Sequence, residues 1–145
     1  LKMLNDMFSL GLDKPALAGY ASRLGSDCAF FIYNRPMIAS GRGEILQECE
    51  LSLEGYRFEV FVPPVHVSTA EAYGGVTPAV PATPLEDILA LPPEQWRGRL
   101  VNDFEASILP AHPEIAAAKD AFYARGAVYA SMSGSGSSVF GIFRD

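Results

Sequence analysis

One stretch near the C-terminus decides the fold of this chain. It comprises residues 127–143, Ala-Val-Tyr-Ala-Ser-Met-Ser-Gly-Ser-Gly-Ser-Ser-Val-Phe-Gly-Ile-Phe. Two runs rich in apolar, β-branched and aromatic residues, 127–132 and 138–143, predict two strands. Between them lies the Ser-Gly loop, which comprises Ser133, Gly134, Ser135, Gly136 and Ser137. The loop is either a plain hairpin connection or a place where glycine lets the backbone approach an anion such as phosphate. It has neither the lysine nor the following helix of a Walker A loop.

Helical patterns precede these strands. Pro113 suits the first turn of a helix, Ile115 and Phe122 face inward, and Gly126 suits the residue just past its end. Further upstream, apolar residues at helical spacing predict another helix that ends before Pro110, with a stripe made of Trp96, Leu100, Val101, Phe104 and Ile108. Helices and strands mixed in this way predict an α+β domain, with helices on one face of a largely antiparallel sheet.

A third strand is predicted over residues 56–62. Tyr56, Phe58, Val60 and Val62 alternate with polar residues, so we expect these four side chains to face the core. Two prolines end the pattern at residues 63 and 64.

The N-terminal third contains shorter patterns. Asp13 is a candidate N-cap for a helix over about residues 14–24, and residues 28–33 are apolar enough to predict a buried strand. The first ten residues have helical spacing from Leu1 onward and no capping residue before them, which is typical of the middle of a helix. We therefore expect the sequence to be a clipped piece of a longer protein.

Composition excludes several classes of protein. The chain has 145 residues, of which 49% are hydrophobic and 19% charged, and this balance argues against disorder. No run is long enough to cross a membrane, and no signal peptide is visible. A net charge of -6 without a basic cluster argues against nucleic acid as a partner. Cys28 and Cys49 have neither disulfide-framework nor zinc spacing, so we expect no metal ligands and a cytoplasmic location.

Two residues are candidates for chemistry. Asp27 follows a glycine turn at the mouth of an apolar run, where it is either a turn residue or a carboxylate that orients a substrate hydroxyl. Tyr73 precedes a glycine pair, where its ring either packs against the protein or stacks on a base. The segment 102–105, Asn-Asp-Phe-Glu, is interpreted as the solvated face of a helix.

Five segments in this order resemble the GHMP kinase superfamily, namely LGSDCAFF (24–31), ASGRGE (39–44), VSTAEAY (67–73), NDFE (102–105) and MSGSGS (132–137). The resemblance runs through the whole chain. It implies a GHMP-kinase C-terminal domain over residues 51–145, with a ferredoxin-like sheet and helices on one face. Residues 1–50 are then a remnant of the N-terminal, ATP-binding catalytic domain.

The resemblance also implies an activity, which is ATP-dependent phosphorylation of an alcohol on a cytidine-diphosphate-linked polyol in non-mevalonate isoprenoid synthesis. Asp27 matches the catalytic carboxylate, although Ser26, Cys28 and Ala29 stand where the family usually has Ala, Val and Pro. The Ser-Gly loop matches a loop near the phosphates. Tyr73 matches an aromatic residue that packs on the cytosine, and Thr69 lies in the same substrate-binding segment.

The resemblance places a further glycine-rich loop, a lysine and most cytosine-gripping residues upstream of Leu1. We therefore expect the parent protein to use ATP with magnesium, and these 145 residues alone to be inactive with no bound cofactor. A homodimer through the exposed apolar side chains of the remnant is a further expectation. Three alternatives remain open, which are another GHMP kinase of the homoserine or mevalonate type, a non-catalytic ligand-binding α+β module, and a surface used only for oligomerisation.

Overall fold

The computed structural model describes residues 1–145, which form two compact units, Leu1–Leu51 and Ser52–Asp145. None of the helices has the length and apolarity needed to span a lipid bilayer. The helices are α1 (Lys2–Met7), α2 (Lys14–Ser22), α3 (Phe30–Tyr33), α4 (Thr69–Gly74), α5 (Leu85–Leu89), α6 (Glu105–Ala111) and α7 (Pro113–Ala124). The strands are β1 (Met37–Ser40), β2 (Ile45–Glu48), β3 (Tyr56–Phe61), β4 (Tyr129–Met132) and β5 (Val139–Arg144).

The first unit is a small helical cluster with one hairpin. The Asp13 side chain accepts a hydrogen bond of 2.9 Å from the backbone N–H of Ala16, so the predicted N-cap of α2 is confirmed. Strands β1 and β2 pair antiparallel, with Ser40 opposite Ile45 at the turn. Five small or medium apolar residues form the core of this unit, which comprises Leu17, Ala18, Ala21, Ala29 and Ile32.

The strand predicted over residues 28–33 is wrong. The chain forms a 3₁₀ turn at Ser26–Ala29 that leads directly into α3. Ala29 and Ile32 are buried three residues apart while Phe31 is exposed, which is helical and not alternating spacing. A short apolar run has no period that separates a buried strand from a buried helix, and here the helical solution buries one side of the run.

The second unit is built on a three-stranded antiparallel sheet in the order β3-β5-β4. Strands β4 and β5 flank the Ser-Gly loop as predicted, with Met132 opposite Val139 where the loop begins and ends. Helix α7 covers one face of the sheet. Ile115 and Phe122 of this helix belong to the same core cluster as Ala130, Met132 and Val139. The α+β prediction is confirmed, as is the predicted start of α7 at Pro113.

The predicted orientation of β3 is wrong. Phe58, Val60 and Val62 are 51%, 66% and 63% exposed instead of buried. The charged residues lie on the other face, where the Arg57 guanidinium stacks over the Phe143 ring at 4.5 Å. Hydrogen bonds from Arg57 and Arg125 lower the pKa of Glu59 below its usual value. Arg57 and Glu59 therefore lie on the face of the sheet that α7 covers, where they pair with each other and Glu59 also pairs with Arg125. Phe58 and Val60 lie on the opposite face and stay exposed.

The continuous helix predicted through residues 96–108 is also wrong. Trp96 follows a 3₁₀ turn, Pro93–Gln95, and α6 begins only at Glu105 and continues through Pro110 to Ala111. Gly98 has φ +76°, a left-handed conformation that interrupts a right-handed helix. The predicted apolar stripe is therefore not one face of a single helix, and one of its members, Val101, is 64% exposed.

Tyr129 joins this irregular segment to the sheet. Its ring packs edge-to-face on Trp96, with centroids 5.6 Å apart, and its hydroxyl donates a 2.9 Å hydrogen bond to the Leu100 carbonyl. Both aromatic residues are almost fully buried. Burial raises the pKa of Tyr129 from 10.0 to about 12, because the phenolate form would lose its hydration.

This shift predicts an alkaline instability. The unfolded chain loses the Tyr129 proton at a lower pH than the folded chain does. The contribution of Tyr129 to the free energy of unfolding is therefore complete below pH 10 and is lost as the pH rises to about 12. We expect tyrosinate absorbance of the wild type to exceed that of Tyr129→Phe only at the upper end of this range. Identical titration curves for the two proteins would contradict the assignment.

Candidate active site

The Ser-Gly loop is a closed turn with an exposed tip. The backbone N–H of Ser133 donates to the Ser138 carbonyl at 2.8 Å, and the N–H of Gly136 donates to the Ser133 carbonyl at 3.0 Å. Gly134 and Gly136 have φ of +55° and +92°, which L-residues with side chains rarely adopt. Ser133 and Gly134 are exposed, so the Ser133 hydroxyl and the Gly134 N–H are accessible to an anion.

Two residues of the 102–105 segment hold this loop from one side. The Asn102 side chain donates to the carbonyls of Met132 and Gly134 at 2.9 and 2.8 Å. The Glu105 carboxylate accepts the N–H of Met132 at 2.7 Å and the hydroxyl of Ser131 at 3.1 Å. Glu105 is only 7% exposed, so the solvated interpretation of this segment is wrong for that residue.

Sequence reasoning missed the role of both residues because their bonds span about thirty residues of chain. A carboxylate one position after an apolar residue has the spacing of an ordinary surface helix, and α6 begins at Glu105 itself. The one signal available was the order of this segment and the Ser-Gly loop in the superfamily resemblance.

A groove lies beside this segment and is bordered by Tyr73. The Tyr73 ring is 66% exposed and meets the Phe104 ring edge-to-face, with centroids 4.9 Å apart. Asn102 and Asp103 also line the groove, which has a volume of about 450 Å³. Asn102 thus faces the groove and touches the Ser-Gly loop. The structure brings together Tyr73 and the neighbourhood of the loop, which are two of the sites that the sequence singled out.

Helix α4 presents Tyr73 to the groove. The Ser68 side chain accepts the N–H of Glu71 at 3.1 Å and so caps the helix. Thr69 is the first residue of α4 and is exposed. The Glu71 carboxylate lies 2.6 Å from Nε2 of His112, which ties α4 to the residue before α7.

Asp27 lies in the first unit, in the first turn of the 3₁₀ helix at Ser26–Ala29. The Ser26 hydroxyl donates to its Oδ1 at 3.2 Å, and its carboxylate is exposed. The turn of the β1–β2 hairpin approaches it closely, since a Cβ on Gly43 would stand 3.0 Å from the same oxygen. Asp27 is therefore neither buried nor paired with a cation, and it is accessible to a ligand.

No three His, Cys, Asp or Glu side chains come together in a way that could hold a metal ion. Magnesium, which the resemblance implies as the companion of ATP, has no carboxylate cage within these residues. Cys28 and Cys49 are both free thiols.

Comparison with known proteins decides the family. The family model described as GHMP kinases C terminal matches residues 86–145, which include the 102–105 segment and the Ser-Gly loop. This stretch is a GHMP kinase C-terminal domain. The superfamily resemblance carried by five short segments is therefore confirmed for the part of the chain that forms β4, β5 and the helices packed against them.

Relatives extend the similarity over nearly the whole chain. The 4-diphosphocytidyl-2-C-methyl-D-erythritol kinase of Parabacteroides distasonis is 50% identical over 143 residues, which are 99% of this chain and 53% of the relative. The enzyme of the same name from Bacteroides thetaiotaomicron is 48% identical, with coverage of 99% and 52%. A crystal structure of 4-(cytidine 5'-diphospho)-2C-methyl-D-erythritol kinase superposes with a TM-score of 0.78 at 31% identity, over 97% of this chain and 52% of that chain.

The chain therefore spans about half the length of the curated relatives that it matches. These relatives are kinases by name, and the stretch that the GHMP kinase C-terminal model matches carries the Ser-Gly loop and the Asn102 side of the groove, whereas Tyr73 lies before it.

The packing around Gly136 predicts a stability difference between two glycines. Gly126 and Gly136 have the same φ of +92°, a value at which alanine is strained at either position. A Cβ at Gly136 would stand 2.9 Å from the sulfur of the buried Met132, whereas nothing lies within 4 Å of one at Gly126. We expect Gly136→Ala to lower the free energy of unfolding by about 1–3 kcal/mol more than Gly126→Ala. Urea denaturation measures the difference, and equal losses would contradict the packing described.

Proposed function

We propose that this chain supplies the C-terminal part of an ATP-dependent kinase whose substrate is 4-diphosphocytidyl-2-C-methyl-D-erythritol, a step of non-mevalonate isoprenoid synthesis. The observation that carries the proposal is the juxtaposition made by Asn102. It lines the groove bordered by Tyr73 and bonds to the Ser-Gly loop. An aromatic groove beside a loop of accessible N–H groups suits a ligand that has a base at one end and phosphates at the other.

The groove suits the base because it has an exposed ring that is held in place. The contact between Tyr73 and Phe104 fixes one edge of the Tyr73 ring, while the side chain as a whole stays 66% exposed. An exposed aromatic face stabilises a stacked base by about 1–3 kcal/mol. Thr69, one turn earlier on α4, is available to contact the same ligand.

The Ser-Gly loop suits the phosphates for a different reason. Its two positive-φ glycines leave the tip without bulky side chains, and three serine hydroxyls surround it. Phosphoryl transfer depends on positioning and on neutralisation of charge more than on covalent participation by the protein. The loop would help to hold phosphate, and Asp27 would accept or orient the proton of the substrate hydroxyl.

ATP and its magnesium ion would need further residues. The 145 residues contain no glycine-rich loop that leads into a helix, and their carboxylates form no metal cluster. We therefore propose that this chain by itself does not turn over ATP and holds no resident cofactor. When present, ATP supplies the phosphoryl group.

Free cysteines, net charge and exposed apolar side chains bear on where the protein is located and what it contacts. We propose a cytoplasmic location, supported by two free cysteines, and no nucleic-acid partner, supported by the net charge of -6. We also propose contact with a second copy through α1, because none of its residues is buried. The large apolar side chains of α1 and of Leu1 just before it are 42–71% exposed, namely Leu1, Met3, Leu4 and Met7.

Tyr73 tests the binding of the base. In the product of the complete reading frame that contains this sequence, Tyr73→Ala should weaken the binding of cytidine diphosphate about tenfold or more, because it removes the stacking surface. Tyr73→Phe is the matched control, since it keeps the ring and should bind nearly as the wild type does. Titration calorimetry measures both. Equal affinity for Tyr73→Ala and the wild type would remove Tyr73 from the site.

Asp27 tests the chemical step. Asp27→Asn keeps the shape of the side chain but removes its basicity, so kcat of the same product should fall by about 10²-fold or more with little change in KM. Asp6→Asn, at an exposed aspartate of α1, is the control and should leave both constants unchanged. The assay follows substrate-dependent release of ADP. A rise in KM at constant kcat would assign Asp27 to binding instead of to proton transfer.

A further inference from the structure

Apart from Ser131, whose own hydroxyl donates to the Met132 carbonyl at 3.3 Å, only the side chains of Asn102 and Glu105 hold the Ser-Gly loop through hydrogen bonds to its backbone or to the two residues before it. We propose that they are positioning residues, which set the conformation of the loop and couple it to the groove at Tyr73. The part of this inference that concerns phosphate rests on the proposed function. The part that concerns the loop itself stands without it.

Asn102 acts on the carbonyls at the start of the loop. Its Nδ2 donates to Met132 and to Gly134, at 2.9 and 2.8 Å, so one amide group bridges the last strand residue and the loop tip. Its Oδ1 accepts the N–H of Phe104 at 3.1 Å, which fixes the direction of the amide. With these two carbonyls engaged by Asn102, the peptide planes at residues 132 and 134 are held in one orientation.

Glu105 binds a donor of the same backbone segment, whereas Asn102 binds acceptors. Its Oε1 accepts the N–H of Met132 at 2.7 Å and the Ser131 hydroxyl, while its Oε2 is paired with Lys119 at 2.5 Å. The backbone N–H and the carbonyl of Met132, the last residue before the loop, are therefore both held by side chains of one short segment. A buried carboxylate with three donors is rigid, because each loss would leave charge unsatisfied.

The same segment lines the groove. Asn102 and Phe104 border the cavity that Tyr73 bounds, and Phe104 contacts the Tyr73 ring. A change at Asn102 therefore alters both the conformation of the loop and its position relative to the groove. A residue that merely stabilised the fold would have no such selective effect on one end of a ligand.

The experiment replaces one donor group. Asn102→Asp keeps the size of the side chain and the acceptor for Phe104, but it loses both donors to the loop carbonyls. Asn5→Asp is the matched control, because Asn5 also donates an amide hydrogen bond to a backbone carbonyl, that of Leu12, and accepts one from its N–H. Glu105→Gln tests the second set of bonds if Asn102→Asp does not fold.

The first readout needs no ligand. In the ¹⁵N-labelled 145-residue chain, Asn102→Asp or Glu105→Gln should shift the amide resonances of Gly134 and Gly136 and lower their heteronuclear NOE, while Asn5→Asp leaves both unchanged. Unchanged loop resonances in both variants would overturn the proposal.

The second readout compares cytidine diphosphate with cytidine on the product of the complete reading frame. Asn102→Leu, which removes both donors without adding a negative charge, should reduce the preference for the diphosphate about tenfold, with cytidine affinity retained, because two hydrogen bonds that orient the loop are lost. A preference equal to that of the wild type would overturn the coupling to phosphate. If the wild type binds neither compound, the proposed function fails, and the ligand-free measurement alone decides whether Asn102 and Glu105 position the loop.

Discussion

The second unit depends on one buried carboxylate. Glu105 begins α6, its partner Lys119 lies on α7, and its other donors belong to β4, so a single side chain joins three elements. Burying a carboxylate is costly unless it is paired and hydrogen-bonded, and here every partner is present. Removal of one partner from such a buried pair typically costs about 3–5 kcal/mol. The position of the Ser-Gly loop is therefore tied to the stability of the domain that carries it.

This arrangement explains why the loop is ordered although its own residues are small. Serine and glycine bury little apolar surface and lose much conformational entropy when they are fixed. The order comes from outside the loop, through Asn102 and Glu105, and from the strands on either side. A loop held in this way keeps the Gly134 N–H and the serine hydroxyls free, because the side chains that hold it engage carbonyls and the base of the turn.

Much of the fold follows from local patterns in the sequence, whereas most of the site does not. The strands around the loop and the cap at Asp13 depend on neighbouring residues, and those predictions are confirmed. Residues 28–33 fold as helix because a run of six apolar residues carries no period of its own. The burial of Glu105 is decided by partners about thirty residues away, and no local pattern encodes such a contact.

The face that β3 turns outward has a consequence for how the protein behaves in concentrated solution. β3 is an edge of the sheet, so one row of its backbone groups has no strand partner, and Phe58 and Val60 lie beside that row. Such an edge is a template for the addition of a foreign strand. The alternating Arg57 and Glu59 oppose this, because pairing in most registers would bury or misalign their charges. We therefore expect these two side chains to oppose edge-to-edge association of the protein, an effect separate from any part that the domain has in catalysis.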